Sequence, residues 1–254
     1  MSTPAITPMD GRAFAGVETF RVRADVRVEM LPSPGRLPGS TPDEIEQIER
    51  HWSGLAESNP RLYNGPVLSV VSIDHEIGVI HGRRDDFKRL LAQPRVATGV
   101  RLLAVTGVVV ARDSRGTPHA LLARRGKKTR IYPGMWELAP CGGVSPPHPS
   151  DPVITMEGLR AAVHEEASEE LNLSMDIGRC VGLVRDRVAF SDDLVFECDA
   201  GELDRVRETL RTSWECPEVA WVALDEIEVF DRRNAESIIL PTRSMFRLLG
   251  WIEE

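Results

Sequence analysis

Between residues 157 and 173 the chain reads EGLRAAVHEEASEELNL, and Glu165, Glu166, Glu169 and Glu170 crowd into six positions. On a helix of 3.6 residues per turn, Glu166, Glu169 and Glu170 stand at i, i+3 and i+4, so their carboxylates share one face about a turn long. Like charges at that spacing destabilise an isolated helix by roughly 0.2–0.5 kcal/mol per pair. Two readings offset that cost. One is water, on a solvated acidic face. The other is a divalent cation: Mg²⁺ takes carboxylate oxygens, keeps several waters and leaves room for phosphate groups. The trio contains no soft ligand that would favour zinc.

The helix that must carry these acids is predicted over 157–172 from Leu159, Val163, Ala167 and Leu171, four apart on one apolar face. Ahead of it, RLLAVTGVVVARD at 101–113 and PHALLARRG at 118–126 flank the turn SRGT and predict a hairpin. MWELAPCGGV at 135–144 reads as a short strand ending in a glycine pair. SPPHPSDP at 145–152 has four prolines and can be neither helix nor central strand. Two strands are expected at 180–187 and 193–200, a helix at 202–212, a strand at 218–227 running into a turn, and a closing helix within 237–252. In the first third, 20–31 alternates as one strand. Thr41, Pro42 and the acids after them announce a helix. Residues 67–73 and 76–82 read as paired strands, and 85–93 as a short helix. Residues 1–16 look like a loose tail. Strands and helices are mixed rather than strictly alternating, so the class is α+β. A boundary near 95–100 divides an extension, 1–98, from a main domain, 99–254.

Composition excludes several functions. The 254 residues are 42% hydrophobic with formal net charge -8, an acidic balance that repels nucleic-acid backbones. The basic runs at 83–84 and 123–130 are short and read as solvated loops. Cys141, Cys180, Cys198 and Cys216 form no CxxC pair, which argues against a zinc site or a disulfide framework and fits a reducing cytosol. The first residues lack a basic start followed by an apolar run, and the longest apolar run, 102–111, is strand-sized, so neither a signal peptide nor a membrane span is expected.

The acidic stretch resembles the box of the Nudix hydrolases, G-x5-E-x7-R-E-U-x-E-E-x-G-U with U bulky and aliphatic. Glu157 falls on the first glutamate; Glu166, Glu169 and Glu170 fall on the three of its core, and Leu173 on the last aliphatic position. ALLARRG and GMWELAPCGGV ahead of it, and ECPEVAWVALDEI behind it, resemble the strand, tryptophan, glycine pair and acidic-to-tryptophan stretch that flank the box. The likeness covers about 100–250. There are departures. Glu165 stands where the box has arginine, Asn172 where it has glycine, and the stretch from Gly143 to Glu157 is eight residues longer than usual. Asn172 can still take the left-handed conformation of a helix end. The UDP-glucose/UDP-galactose diphosphatase branch of the family shares the long proline loop, the missing arginine and the E-x-N-L ending. It also shares a W…NP-x-L-(F/Y)-N-G motif, matched here by Trp52 and NPRLYNGP at 59–66.

The resemblance implies a Nudix-type α/β/α sandwich with a mixed sheet and a small N-terminal α+β extension. It implies hydrolysis of a nucleoside diphosphate-linked small molecule, a UDP-sugar giving UMP and sugar 1-phosphate, with Mg²⁺ (or Mn²⁺) held by Glu166, Glu169 and Glu170. Glu215, six residues before Trp221, resembles a catalytic glutamate of some relatives; Glu218 is its rival, and Glu169 can itself serve as the base. Glu166 completes the catalytic set. Arg124 and Arg125 are candidates for substrate phosphates, and alternation along a strand lets at most one of them point there. Gly142 and Gly143 permit close backbone approach. Trp136 can stack a base or belong to the core. His164 reads as structural or exposed. A cytoplasmic protein that forms homodimers, without nucleic-acid or membrane partners, fits this reading. ADP-ribose, a dinucleotide or coenzyme A stay open as substrates. Glu165 leaves open a catalytically weak nucleotide-binding protein, unless Arg160 or another cation replaces the missing arginine.

Overall fold

The computed structural model describes residues 14–253 apart from 24, 33–36, 60–61 and 77. The tail expected at 1–16 therefore falls almost wholly outside the described residues, as do Pro60 and Arg61 of NPRLYNGP. The chain runs β1 (Val17–Phe20), β2 (Arg27–Met30), α1 (Pro42–Ser58), β3 (Pro66–Asp74), β4 (Val79–Asp86) and α2 (Phe87–Ala92). Then follow β5 (Leu102–Arg112), β6 (Pro118–Arg124), β7 (Trp136–Leu138), β8 (Cys141–Gly143), β9 (Val153–Ile154) and α3 (Met156–Leu171). The last third is β10 (Asp176–Asp186), β11 (Ser191–Glu202), α4 (Leu203–Thr209), β12 (Glu218–Ala223), α5 (Ile227–Asn234) and α6 (Leu240–Leu248). The class is α+β, as expected.

One mixed sheet joins the strands in the order β1-β10-β11-β5-β3-β4-β2-β9. Strands β11 and β5 run parallel, as do β2 and β4; the other pairs are antiparallel. β6 leaves the middle of the sheet at the far end of β5 and carries β7 and β12, while β8 pairs with β5 at its near end. β5 is apolar on both faces because both are covered. Leu103, Val105, Val109 and Ala111 meet Leu159, Val163, Ala167 and Leu171 of α3 in one core. Val108, with Ala120 and Leu122 of β6, meets Ile227, Met245 and Phe246 of the C-terminal helices in a second core. The sheet is thus sandwiched between helices.

The first third adds to this sheet at both edges. β1 pairs with β10, while β2 pairs with β4 and with β9, which directly follows the proline-rich stretch. That corrects the single strand expected over 20–31. Its two ends belong to opposite edges of the sheet, and the chain turns between them, with Val26 N–H donating to Arg23 O. Helix α1 starts as its sequence announces. Thr41 and Glu44 form a reciprocal capping box, and Pro42 opens the first turn where its missing N–H costs nothing. The strand expected over 135–144 is two short strands, interrupted at Pro140, which has no N–H to donate. The arginine pair at 83–84 is no solvated loop: Arg83 is buried in β4, bonded to Asp85 and to the carbonyls of Thr98 and Gly99. Helix α5 was not expected; it is short and polar, and only Ile227 and Asp231 on it are buried.

Candidate active site

Helix α3 is pinned at both ends. Thr155 Oγ1 accepts from Gly158 N–H at its start. At its end Asn172 takes the left-handed conformation (φ 50°), and its side-chain amide donates to Thr209 O. The stripe Leu159, Val163, Ala167 and Leu171 is fully buried against the sheet. That docking fixes the helix rotation and splits the acidic residues. Glu170 is buried, Glu166 is half-buried, and Glu165 and Glu169 are exposed.

The strands opposite are shaped to receive the two inner carboxylates. Cys141 N–H on β8 donates to Glu170 Oε2 at 3.2 Å. A Cβ added to Gly142 would lie 1.9 Å from Glu166 Cδ, so only glycine lets this carboxyl rest against the β8 backbone. Gly143 makes no such demand: a Cβ there would meet only Leu102, at 3.4 Å or more.

A further carboxylate reaches this place from the sheet. Glu137, in the middle of β7, is 3% exposed, and Arg125 Nη1 donates to both of its oxygens at 2.7 Å. Arg125 Nε holds Ile131 O. Sequence reasoning missed Glu137. Its signal was a lone charge between Trp136 and Leu138: period-two alternation turns Glu137 away from the core that buries those two.

Electrostatics show how tightly these groups converge. Burial first, then the charges of Glu169, Glu215 and Glu165, raise the Glu166 carboxyl to about 7. Burial and Glu137, together with Glu166 and Glu215 and against the Cys141 N–H bond, raise Glu170 to about 8. Glu137 is raised by burial, with Arg125 pulling down and Glu215 adding repulsion. Burial would lower the Arg125 pKa, but the Glu137 carboxylate outweighs it and raises it. Four glutamates from α3, β7 and the segment before β12 therefore share one field with a single neutralising guanidinium among them.

The other expected residues divide. Glu215 is exposed, but its segment is tied to the site by Gly126 N–H donating to Glu215 O at 2.6 Å. Glu218 stands apart on β12 and pairs with Arg124. Arg125 alone of the arginine pair points to the carboxylates; Arg124 lies on the opposite face, its guanidinium 5.7 Å from the Trp136 ring centroid. Trp136 is buried edge-on against Phe230 in the second core, so it is not brought to the site, and Arg124 is turned from it too. His164 is exposed. Arg160 is spent on Glu157 and Gly178 O, away from the cluster.

The donor set suits a hard cation. Burial, foremost, raises the Cys141 and Cys216 thiols, so they stay protonated and the available donors are oxygens. The glycine cradle at Gly142 leaves the Glu166 oxygens uncovered by side chain. Among the described residues no three His, Cys, Asp or Glu side chains are arranged as a ready-made metal cage. Such a site suits an ion that keeps several waters and takes one or two carboxylates.

A family model described as NUDIX domain matches residues 101–242. Among solved structures, the chain is similar to the MutT protein from Methanosarcina mazei Go1, with 24% identity over 59% of this chain and 95% of that one and a TM-score of 0.43. It is also similar to RenU, a Nudix hydrolase from M. smegmatis, with 16% identity over 59% and 84% and a TM-score of 0.42. A third likeness is to the NUDIX domain of Shewanella oneidensis NrtR complexed with ADP ribose, with 15% identity over 61% and 89% and a TM-score of 0.41. No curated protein matches the chain.

Proposed function

The chain belongs to the Nudix family, hydrolases of pyrophosphate bonds, and from that premise we propose that it is a Mg²⁺-dependent diphosphatase of a UDP-sugar, releasing UMP and sugar 1-phosphate. The observation that carries the hydrolase reading is the carboxylate cluster. Glu166 and Glu170 are drawn against a glycine-cradled strand, where burial and mutual repulsion hold their pKa values near 7 and 8. The sugar-nucleotide assignment is supported by the branch features: the proline-rich stretch at 145–152, Glu165 in place of arginine, Asn172, and Trp52 with NPRLYNGP.

In this reading Glu166 and Glu170 hold Mg²⁺ or Mn²⁺, with Glu169 at the rim. The ion, when bound, supplies charge neutralisation on phosphoryl oxygens and a polarised water. Arg125 pulls the Glu137 pKa down against its burial and orients this carboxylate with two hydrogen bonds. Glu215, held at the mouth by the Gly126–Glu215 bond, is the proposed base that takes the proton from the attacking water. Residues 99–254 form the catalytic unit and 1–98 an extension that lengthens its sheet. No helix among the described residues is long and apolar enough to cross a membrane.

The test is a panel of UDP-glucose, UDP-galactose, ADP-ribose and coenzyme A with Mg²⁺ or Mn²⁺ and product identification. UMP release is expected. AMP-type products would move the substrate to another Nudix class. Nucleotide binding without cleavage of any diphosphate would make the chain a binding protein.

A further inference from the structure

The stretch from Thr209 to Cys216 runs past the carboxylate helix as a strap tied down along its length. Asn172, the cap of α3, donates its side-chain amide to Thr209 O, and Arg211 N–H donates to the carbonyl of Leu171, the last residue of the same helix. Residues 213–216 then close a tight turn: Ser213 N–H donates to Cys216 O, and Cys216 N–H donates to Ser213 Oγ, both at 3.2 Å. Cys216 is 1% exposed and packs in the first core with Val163, Ala167 and Leu171 of α3. Trp214 and Glu215, at the tip of the turn, are exposed.

The tip is also held by the loop 125–135 between β6 and β7. Gly126 N–H donates to Glu215 O at 2.6 Å. A Cβ on Gly126 would lie 2.3 Å from Trp214 O, a backbone atom, so no side chain could turn away to relieve the clash. Gly126 is not one of the glycines with positive φ, so this position demands room rather than backbone freedom. The loop is closed at its base, where Arg125 N–H donates to Met135 O and Gly134 N–H to Arg125 O. Thr129 Oγ1 donates to Gly126 O. Tyr132, at φ 52°, donates its hydroxyl to Asp186 Oδ2 at 2.7 Å. Asp186, at the end of β10, is 1% exposed, and its other oxygen accepts from the N–H groups of Val188 and Ala189, so the loop is anchored to the sheet.

We infer that the β6–β7 loop is a brace that positions Glu215, with Gly126 as its point of contact and the Tyr132–Asp186 bond as its anchor. The inference rests on the reading of Glu215 as the base. The charge of Glu215 is among those that raise the Glu137, Glu166 and Glu170 carboxyls, so it acts within their field although it shares no element with them. A proton acceptor works only when it is held within hydrogen-bond reach of the attacking water. An exposed glutamate on a turn is held only as well as its backbone is. The strap ties that backbone to α3, and the brace ties it to β6 and β10. Gly126 and Tyr132 are thus positioning residues that act through Glu215.

The test uses the full chain labelled with 5-fluorotryptophan. The five tryptophans give five ¹⁹F resonances, and Trp214→Phe identifies the one beside Glu215. Gly126→Ala is expected to shift the Trp214 resonance and to leave that of Trp52, on α1, in place. With the diphosphate that wild type cleaves in the panel above, kcat should fall by about 10- to 100-fold while KM stays within about threefold, because substrate still binds and the base is misplaced. Gly126→Ala combined with Glu215→Gln should turn over no more slowly than Glu215→Gln alone. Gly54→Ala, where a Cβ meets nothing, is the control and should match wild type. Should Gly126→Ala fail to fold, Tyr132→Phe reads the brace from its anchor, with a shift of the same resonance and a smaller loss of kcat. A Trp214 resonance that stays in place in the folded variant overturns the inference. So does a shifted resonance with wild-type kcat, or losses that multiply in the double variant; these leave the hydrolase reading standing. If Glu215→Gln turns over like wild type, the base assignment falls and the brace with it. A wild type that cleaves no diphosphate of the panel defeats the hydrolase reading itself, and the inference with it.

Discussion

Asp193, on β11, is a buried acid whose charge the fold leaves poorly compensated. Its residue is 7% exposed, and its Oδ1 has no hydrogen-bond partner among the described residues. Burial raises its pKa from the ordinary 3.8 to about 7; Ser191 resists by hydrogen bonding, and Asp186, Asp192 and Glu137 add repulsion. The folded chain therefore holds this proton more tightly than the unfolded chain. Below about pH 4 the carboxyl is protonated in both states and costs nothing. From about pH 4 to about 7 it ionises only on unfolding, so stability falls as pH rises, by up to about 1.4 kcal/mol per pH unit. Above that window the carboxylate is charged in both states and the full cost, about 4 kcal/mol as an upper figure, is in place. Asp193→Asn keeps the shape and removes the charge. Urea unfolding of wild type and variant at pH 5, 6, 7 and 8 reads this group in the difference, because titrations not coupled to Asp193 cancel. The variant should gain on wild type by about 2 kcal/mol between pH 5 and 8 and be the more stable protein at pH 8. A difference that stays flat with pH, or that shrinks as pH rises, would show that Asp193 is already compensated in the folded chain.

Four further outcomes follow from the site. Glu166→Gln and Glu170→Gln should each abolish turnover while leaving circular dichroism unchanged. In wild type, Mn²⁺ affinity followed by electron paramagnetic resonance should rise steadily from pH 6 to 9, because carboxyls near 7 and 8 must lose their protons to bind. Arg125→Met strands the Glu137 charge in the sheet and should cost about 3–5 kcal/mol at pH 8; adding Glu137→Leu should restore most of it in the same melts. Gly142→Ala forces the Glu166 carboxyl off the strand, so activity should fall at least tenfold, whereas Gly143→Ala should keep its fold and most of its activity.

What could be read from the chain, and what could not, divides by the range of the interactions. Helix α3 and its buried stripe follow from a period contained in the helix itself, and the start of α1 from a cap spanning four residues. Helix spacing put Glu166, Glu169 and Glu170 together on one face; the burial of the apolar stripe against the sheet is what turns Glu166 and Glu170 inward. The same stripe leaves Glu169 exposed, which spacing alone could not say. Alternation showed that only one of Arg124 and Arg125 faces the acids; which one depends on the pairing of β6 with β7 and β12, a tertiary fact. The split of 20–31 into β1 and β2 was illegible for the same reason, since both halves look like strand and only distant partners separate them. Trp136 has the composition of a stacking platform or a core residue, and only the arrival of Phe230 from the unexpected helix α5 decides for the core.

The departure at Glu165 bears on the same point. A box arginine would place a positive charge on the helix beside its own glutamates; here that position is a solvent-exposed acid, and Arg160, the arginine of this helix, is bound elsewhere. The cation comes instead from the sheet. Arg125 grips Glu137 with two bonds, and Glu137 is the largest charged contributor to the raised Glu170 carboxyl. A carboxylate brought in from β7 thus adds to the crowding on Glu170 and brings its own counter-ion on β6, the strand beside it. Glu165 is itself among the charges that raise the Glu166 carboxyl. The exposed acid on the helix thus adds to the repulsion on Glu166, while Arg125 is held by Glu137 on the sheet.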